Sequence, residues 1–236
     1  MNHRFTKIVA GLFISVCCGV FVAHAQTERN CGLTAEQKTI VPIAAFTASG
    51  DLPKLQTALI QGLDAGLTIN EIKEILIQMY AYVGFPRSLN GIMTFMDVLD
   101  EREQKGIKDK PGKEATPLPS DKTSMELGTQ NQTRLTGKPA SGRYIEFAPA
   151  IDRFLKGHLF GDIFGRDILD FQTREIATLS ALANMEGLNP QLLGHFKASL
   201  NIGLTQAQIT DLISVIESRV GKRQADNARD VFTMKD

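Results

Sequence analysis

Apolar residues recur along this chain at a spacing of three and four rather than two. Ile72, Ile75, Leu76 and Met79 fall at i, i+3, i+4 and i+7, and Ile209, Leu212, Ile213 and Ile216 repeat that spacing. Such a pattern gives a helix one buried face. Shorter stripes have the same period: Ile40, Ile43, Ala44 and Phe46; Leu55, Leu59, Ile60 and Leu63; Ile176, Leu179, Leu182 and Ala183; Leu192, Leu193, Phe196 and Leu200. After Phe85-Pro86, Leu89, Ile92, Met93, Met96 and Leu99 share one predicted face. Tyr144 to Phe160 resumes an apolar pattern through Ile145, Phe147, Ile151, Phe154 and Leu155. The breaks between stripes hold helix-terminating chemistry. Thr68 with Glu71 and Thr205 with Gln208 read as capping boxes. Pro53 and Pro190 suit a first turn, with Asn189 as N-cap, and Asp170 is another N-cap. Gly66, Gly84, Gly187 and Gly203 are stop signals. No strand alternation interrupts this, so the sequence predicts an all-α fold.

The punctuation repeats. Pro53, Gly66, Thr68, Gly84 and Asn90 each find the same residue type 137 positions later, and Glu71 finds Gln208. These positions have the narrowest physical options. The pattern predicts two similar helical units packed as an intrachain pseudo-dimer. The units span 26–101 and 144–236. Between them, 102–143 is rich in Lys, Gly, Pro, Ser and Thr and reads as a polar connection. Leu118, Met125, Leu127 and Leu135 are the residues able to pin it to the body.

The first 25 residues predict a secretory signal peptide. Arg4 and Lys7 precede the apolar run Ile8 to Val22, and Ala23-His24-Ala25 is a cleavage site. The mature protein is then expected to be exported, periplasmic or secreted, with no stable membrane insertion. Cleavage leaves Cys31 as the only cysteine, so no intramolecular disulfide can form. The 26 basic and 26 acidic residues balance, and no Trp is present. No global field draws this chain to nucleic acid.

The repeats diverge where side chains carry chemistry. Position 137 before His195 is Ala58, before Glu175 it is Lys38, and before Arg174 it is Gln37. His195 falls on the shoulder of its apolar face, where a histidine can line a pocket. Glu175 could hold its tautomer or relay a proton. Arg174 reads either as a bidentate carboxylate clamp or as a solvated surface arginine. His158 is a further binding candidate, with Tyr82 and Arg87 (and Tyr80) as lining from the first unit. His158 and His195 lack ligand spacing, so no metal is expected.

Arg174-Glu175 through Leu182, then Gln191-Leu192 and His195 to Thr205, resemble the carboxymuconolactone decarboxylase family, which has an alkylhydroperoxidase-like fold. Phe160 to Asp170 looks like its lead-in. Gly66-Leu67-Thr68, Glu71-Ile72 and Tyr82 to Pro86 look like a second copy. The resemblance implies an all-helical fold and a homo-oligomer, here a trimer of two-unit chains. It implies acid–base chemistry by Glu175 and His195 on a small organic acid or lactone, as decarboxylation or isomerisation, with no cofactor. A non-catalytic ligand-binding or assembly protein is the alternative. The family's thiol peroxidase chemistry is disfavoured, because Leu188 and Gln191 stand where its CxxC pair would.

Overall fold

The central helices are those buried along nearly their whole length. In the computed structural model, which describes residues 32–234, α1 (Ala35–Ser49) is buried without interruption from Thr39 to Ala48. Further along, α8 (Phe171–Ala183) is buried from Arg174 to Ala183. A helix with no polar stripe must be covered all round. These two pack against each other, and the remaining helices sheathe them. The expected signal peptide and Cys31 lie outside the described residues.

Around α1 run α2 (Leu52–Ala65), α3 (Ile69–Val83) and α4 (Phe85–Gln104). Around α8 run α9 (Asn189–Asn201), α10 (Gln206–Arg219) and α11 (Lys222–Thr233). Both predicted capping boxes form. Thr68 accepts from Glu71 N while Glu71 accepts from Thr68 N, and Thr205 and Gln208 do the same. Asp170 caps α8 as expected, accepting from Thr173 N at 2.7 Å. Asn189 is instead the first helical residue of α9, after Leu188, and exchanges hydrogen bonds with Asn227. Packing is reciprocal: α3 lies on α8, and α10 lies on α1. Residues from Gly32 onward form one body. The described residues are all-helical, without a strand, and none of their helices is long and apolar enough to cross a membrane.

Three expectations need correction. The polar connection contains a helix, α5 (Ser124–Thr136), started by a capping box of Thr123 with Glu126. Its composition is polar because it buries little more than Gly128, Gln132 and Leu135. The chain before it is strapped to the body: Ile69 N and Asn70 N donate to the carbonyls of Lys110 and Pro111. Asp167 accepts from Thr116 N and Oγ1, and these bonds hold its carboxyl down to about 2.

The second concerns α4, which buries Ser88, Gly91, Phe95, Val98 and Arg102. Leu89, Met93 and Met96 are exposed, as is Phe85. Gly91 decides between the stripes. A Cβ there would come within 3.1 Å of Leu76 Cδ2, so the hydrogen-only face is the one that fits closely. The third concerns the run from Tyr144, where α6 (Arg143–Phe147) and α7 (Pro149–Arg153) leave Tyr144, Phe147, Ile151 and Phe154 exposed. Burial resumes only in a π-helical segment, Phe154–Ile163, at Leu159, Phe160, Gly161 and Ile163. The segment packs on α5 through glycine contacts: a Cβ on Gly128 would lie 1.6 Å from the Lys156 carbonyl oxygen.

Candidate active site

Helices α8 and α9 pack side by side, which sets Glu175 against His195. His195 Nδ1 lies 2.8 Å from Glu175 Oε2. The carboxylate is fully buried, while 18 % of the histidine side chain is exposed. Ser199, one turn beyond His195, donates to the same oxygen at 3.4 Å. An ionised carboxylate can only accept, so Nδ1 carries the hydrogen and the imidazole lone pair is left on Nε2. That nitrogen has no protein partner among the described residues. The pair therefore has the form of an oriented base with one outward nitrogen.

Tyr82 reaches the site from α3. Its ring meets the His195 ring edge-on, with centroids 5.7 Å apart. Burial pushes its phenol well above the ordinary value, and the nearby Glu175 charge adds to the rise. The phenol thus stays protonated where an ordinary tyrosine would ionise. Three buried polar atoms have no protein partner here: Tyr82 Oη, Arg174 Nε and Glu175 Oε1. An apolar cluster packs against Tyr82, from Leu135 of α5, Ala198 of α9, and Leu159, Phe160 and Ile163 of the π segment. The π segment is wider than an α-helix and is often found where a helix is fitted to a site.

Arg174 does not face this space as a carboxylate clamp, nor is it a solvated surface side chain. It is fully buried. Its Nη2 donates to Glu74 Oε1 at 2.8 Å and to the Arg166 carbonyl, and its Nη1 donates to Gln78 Oε1 at 2.9 Å. Arg166 Nε also donates to Glu74. Gln78 Nε2 returns bonds to the Arg174 carbonyl and Thr178 Oγ1, both 2.9 Å. Burial pulls the guanidinium below its ordinary value, and Glu74 pulls it back up. A buried Arg must be matched by such acceptors. Once it is, the side chain is a joint between α8 and α3.

The other binding candidates separate. His158 is exposed on the π segment, 2.9 Å from Asp162 and tilted over Tyr80, with no hydrogen bond to Glu175 or His195. Tyr80 stacks on Phe85. Arg87 lines a different hollow with Ser49, Asn184, Glu186 and Arg223. Glu74, Gln78 and Ser199 are the residues that sequence reasoning missed. Glu74, Gln78 and Tyr82 follow one another at i, i+4 and i+8, so they share the α3 face turned to α8. That spacing was the available signal. Among the described residues no group of three His, Cys, Asp or Glu side chains converges as a metal site would require.

The chain matches none of the curated proteins. Residues 149–234, which hold both Glu175 and His195, match the family model described as Carboxymuconolactone decarboxylase family. This stretch, all-helical like the rest of the described residues, is thus similar to the carboxymuconolactone decarboxylase family.

Proposed function

We propose that the chain is a cofactor-independent acid–base enzyme acting on a small organic acid or lactone, by decarboxylation or isomerisation. The observation that carries this reading is the 2.8 Å bond from His195 Nδ1 to the fully buried Glu175. Glu175 fixes the tautomer and stabilises the imidazolium that forms when Nε2 takes a proton. In an isomerisation, Nε2 would remove a proton from carbon and return it one position away. In a decarboxylation, the C–C bond to the carboxylate breaks and CO2 leaves, the electron pair stays on the carbon skeleton as an enolate, and His195, protonated from solvent beforehand, gives up that proton to the carbon and returns to the neutral base. Tyr82, held neutral, can donate a hydrogen bond to that enolate oxygen. Arg174 serves by holding α8 on α3, which keeps Glu175 in place.

The test is turnover of a panel of small carboxylates and lactones by the wild type and by His195→Ala. The variant should lose about a hundredfold or more. A loss below about tenfold in a folded variant would overturn the mechanism.

We infer an internal duplication from the reciprocal packing of α3 on α8 and α10 on α1, the relation expected of a pseudo-two-fold axis. The helix starts Leu52, Ile69 and Phe85 stand 137 residues before Asn189, Gln206 and Lys222, which supports it. Self-association is part of the proposal. The exposed stripe Phe85, Leu89, Met93 and Met96 is the kind of surface that a partner copy covers. Export with cleavage after Ala25 completes the reading.

A further inference from the structure

The position related to the Glu175–His195 site by the 137-residue offset is not filled in. Ala58 stands for His195, Lys38 for Glu175 and Arg219 for Tyr82. These three residues line one cavity of about 780 Å³ between α1, α2 and the end of α10. Its buried wall is Pro42, Phe46 and Ala58 with Thr39, whose hydroxyl is taken up by the Glu36 carbonyl. Replacing imidazole by a methyl group leaves space beside Pro42 and Phe46, and no residue of α5 or the π segment lines it.

The charge has also been inverted. Where the other site buries a carboxylate, this cavity carries three cations, Lys38, Lys54 and Arg219. Lys38 is held by Asp211 at 3.0 Å and Lys54 by Asp51 at 2.9 Å. Lys54 Nζ also lies 5.6 Å from the centre of the Phe46 ring, so charge and aromatic wall are adjacent. The one acidic lining residue, Asp64, is engaged by Arg102 at 2.9 Å. Arg219 is exposed and has no acidic partner among the described residues. Its guanidinium is a planar donor fork, the geometry that a carboxylate matches with two bonds.

We propose that this cavity is a second ligand site, and that it binds a small organic acid with a flat apolar body. The body lies against Pro42, Phe46 and Ala58. The carboxylate pairs with Arg219 and is drawn by Lys38 and Lys54. The site has no general base, so it binds without turnover.

The experiment is a ¹⁹F NMR titration of the full chain with 4-fluorobenzoate at low salt. Saturable binding is expected, weakened about tenfold or more by Arg219→Glu, since one charge-assisted bond is lost and repulsion gained. The neutral isostere 4-fluorobenzyl alcohol should bind at least about tenfold more weakly, by the same reasoning. His195→Ala should leave this binding unchanged. Absence of saturation, equal affinity for the alcohol, or affinity untouched by Arg219→Glu would overturn the proposal. Loss of binding in His195→Ala would overturn it as well, by moving the ligand to the other site. Arg219 is exposed, so its reversal tests charge without threatening the fold.

Discussion

The hollow around Ala58 and the packed pair around His195 lie 137 residues apart in the chain, at places that the proposed duplication would relate, yet they solve opposite problems. Around His195 the chain buries charge and must satisfy it. Glu175 is matched by His195 and Ser199, and Arg174 by Glu74 and Gln78. Around Ala58 the charges stay at the rim, each cation on a flexible stem, and the buried wall is mostly apolar and carries no charge. Buried ionic groups demand fixed partners and so impose geometry, whereas rim charges impose little and leave room. A fixed geometry suits proton transfer. An open cationic rim suits capture.

This contrast can be broken most forcefully at Arg174. Arg174→Ala strands Glu74 in the interior with only Arg166, and should cost about 3 kcal/mol in chemical denaturation. Gln37→Ala, at the matching position, removes only the bond that Gln37 accepts from Thr34 N and should cost under about 1 kcal/mol. Similar losses at both positions would erase the distinction. Next come α5 and the π segment, which pack against Tyr82 and line no part of the Ala58 hollow. Gly128→Ala forces α5 off the Lys156 carbonyl and should destabilise the protein by about 2 kcal/mol. Hydrogen exchange should then speed up in the π segment and not in α2.

A smaller effect is expected at Lys38. Removing its exposed pair with Asp211 by Lys38→Ala should change stability by less than about 1 kcal/mol. The last effect appears only at high pH and is absent at neutral pH. The Tyr82 phenol is raised above its ordinary value of 10.0. The unfolded chain therefore releases that proton first, and stability present below pH 10 falls as pH climbs toward the folded value. In Tyr82→Phe that part of the alkaline slope should vanish, measured as unfolding midpoint against pH.

Much of this was legible in the chain itself. Capping residues have few alternatives, so Thr68, Asp170 and Thr205 announced their helices. A histidine and a glutamate on adjacent predicted helices announced their pairing. What the pattern could not rank was competing apolar stripes. On α4, Gly91 rather than the larger side chains chose the buried face, because close approach and not hydrophobicity decided it. Arg174 was misread for a related reason. Its burial depends on Glu74 and Gln78, about a hundred residues earlier; their spacing marks a shared face of α3, but the periodicity around Arg174 does not say which helix that face meets. The helix α5 was hidden because it buries so few residues that composition reads it as linker.

The Glu74–Gln78–Arg174 network also bears on how the chain avoids mistaking its own parts. Two sets of similar helices in one polypeptide, or in neighbouring copies during synthesis, offer α8 more than one surface of the right shape. Against α10, Arg174 would meet Asp211 and Val215 where α3 supplies Glu74 and Gln78. A swapped arrangement would leave the Nη1 donor unanswered in a dry interior, a penalty of order 1 to 3 kcal/mol before any packing mismatch is counted. On the proposed duplication, the network would bias partner choice, because α3 answers the Arg174 donors and the matching face of α10 does not.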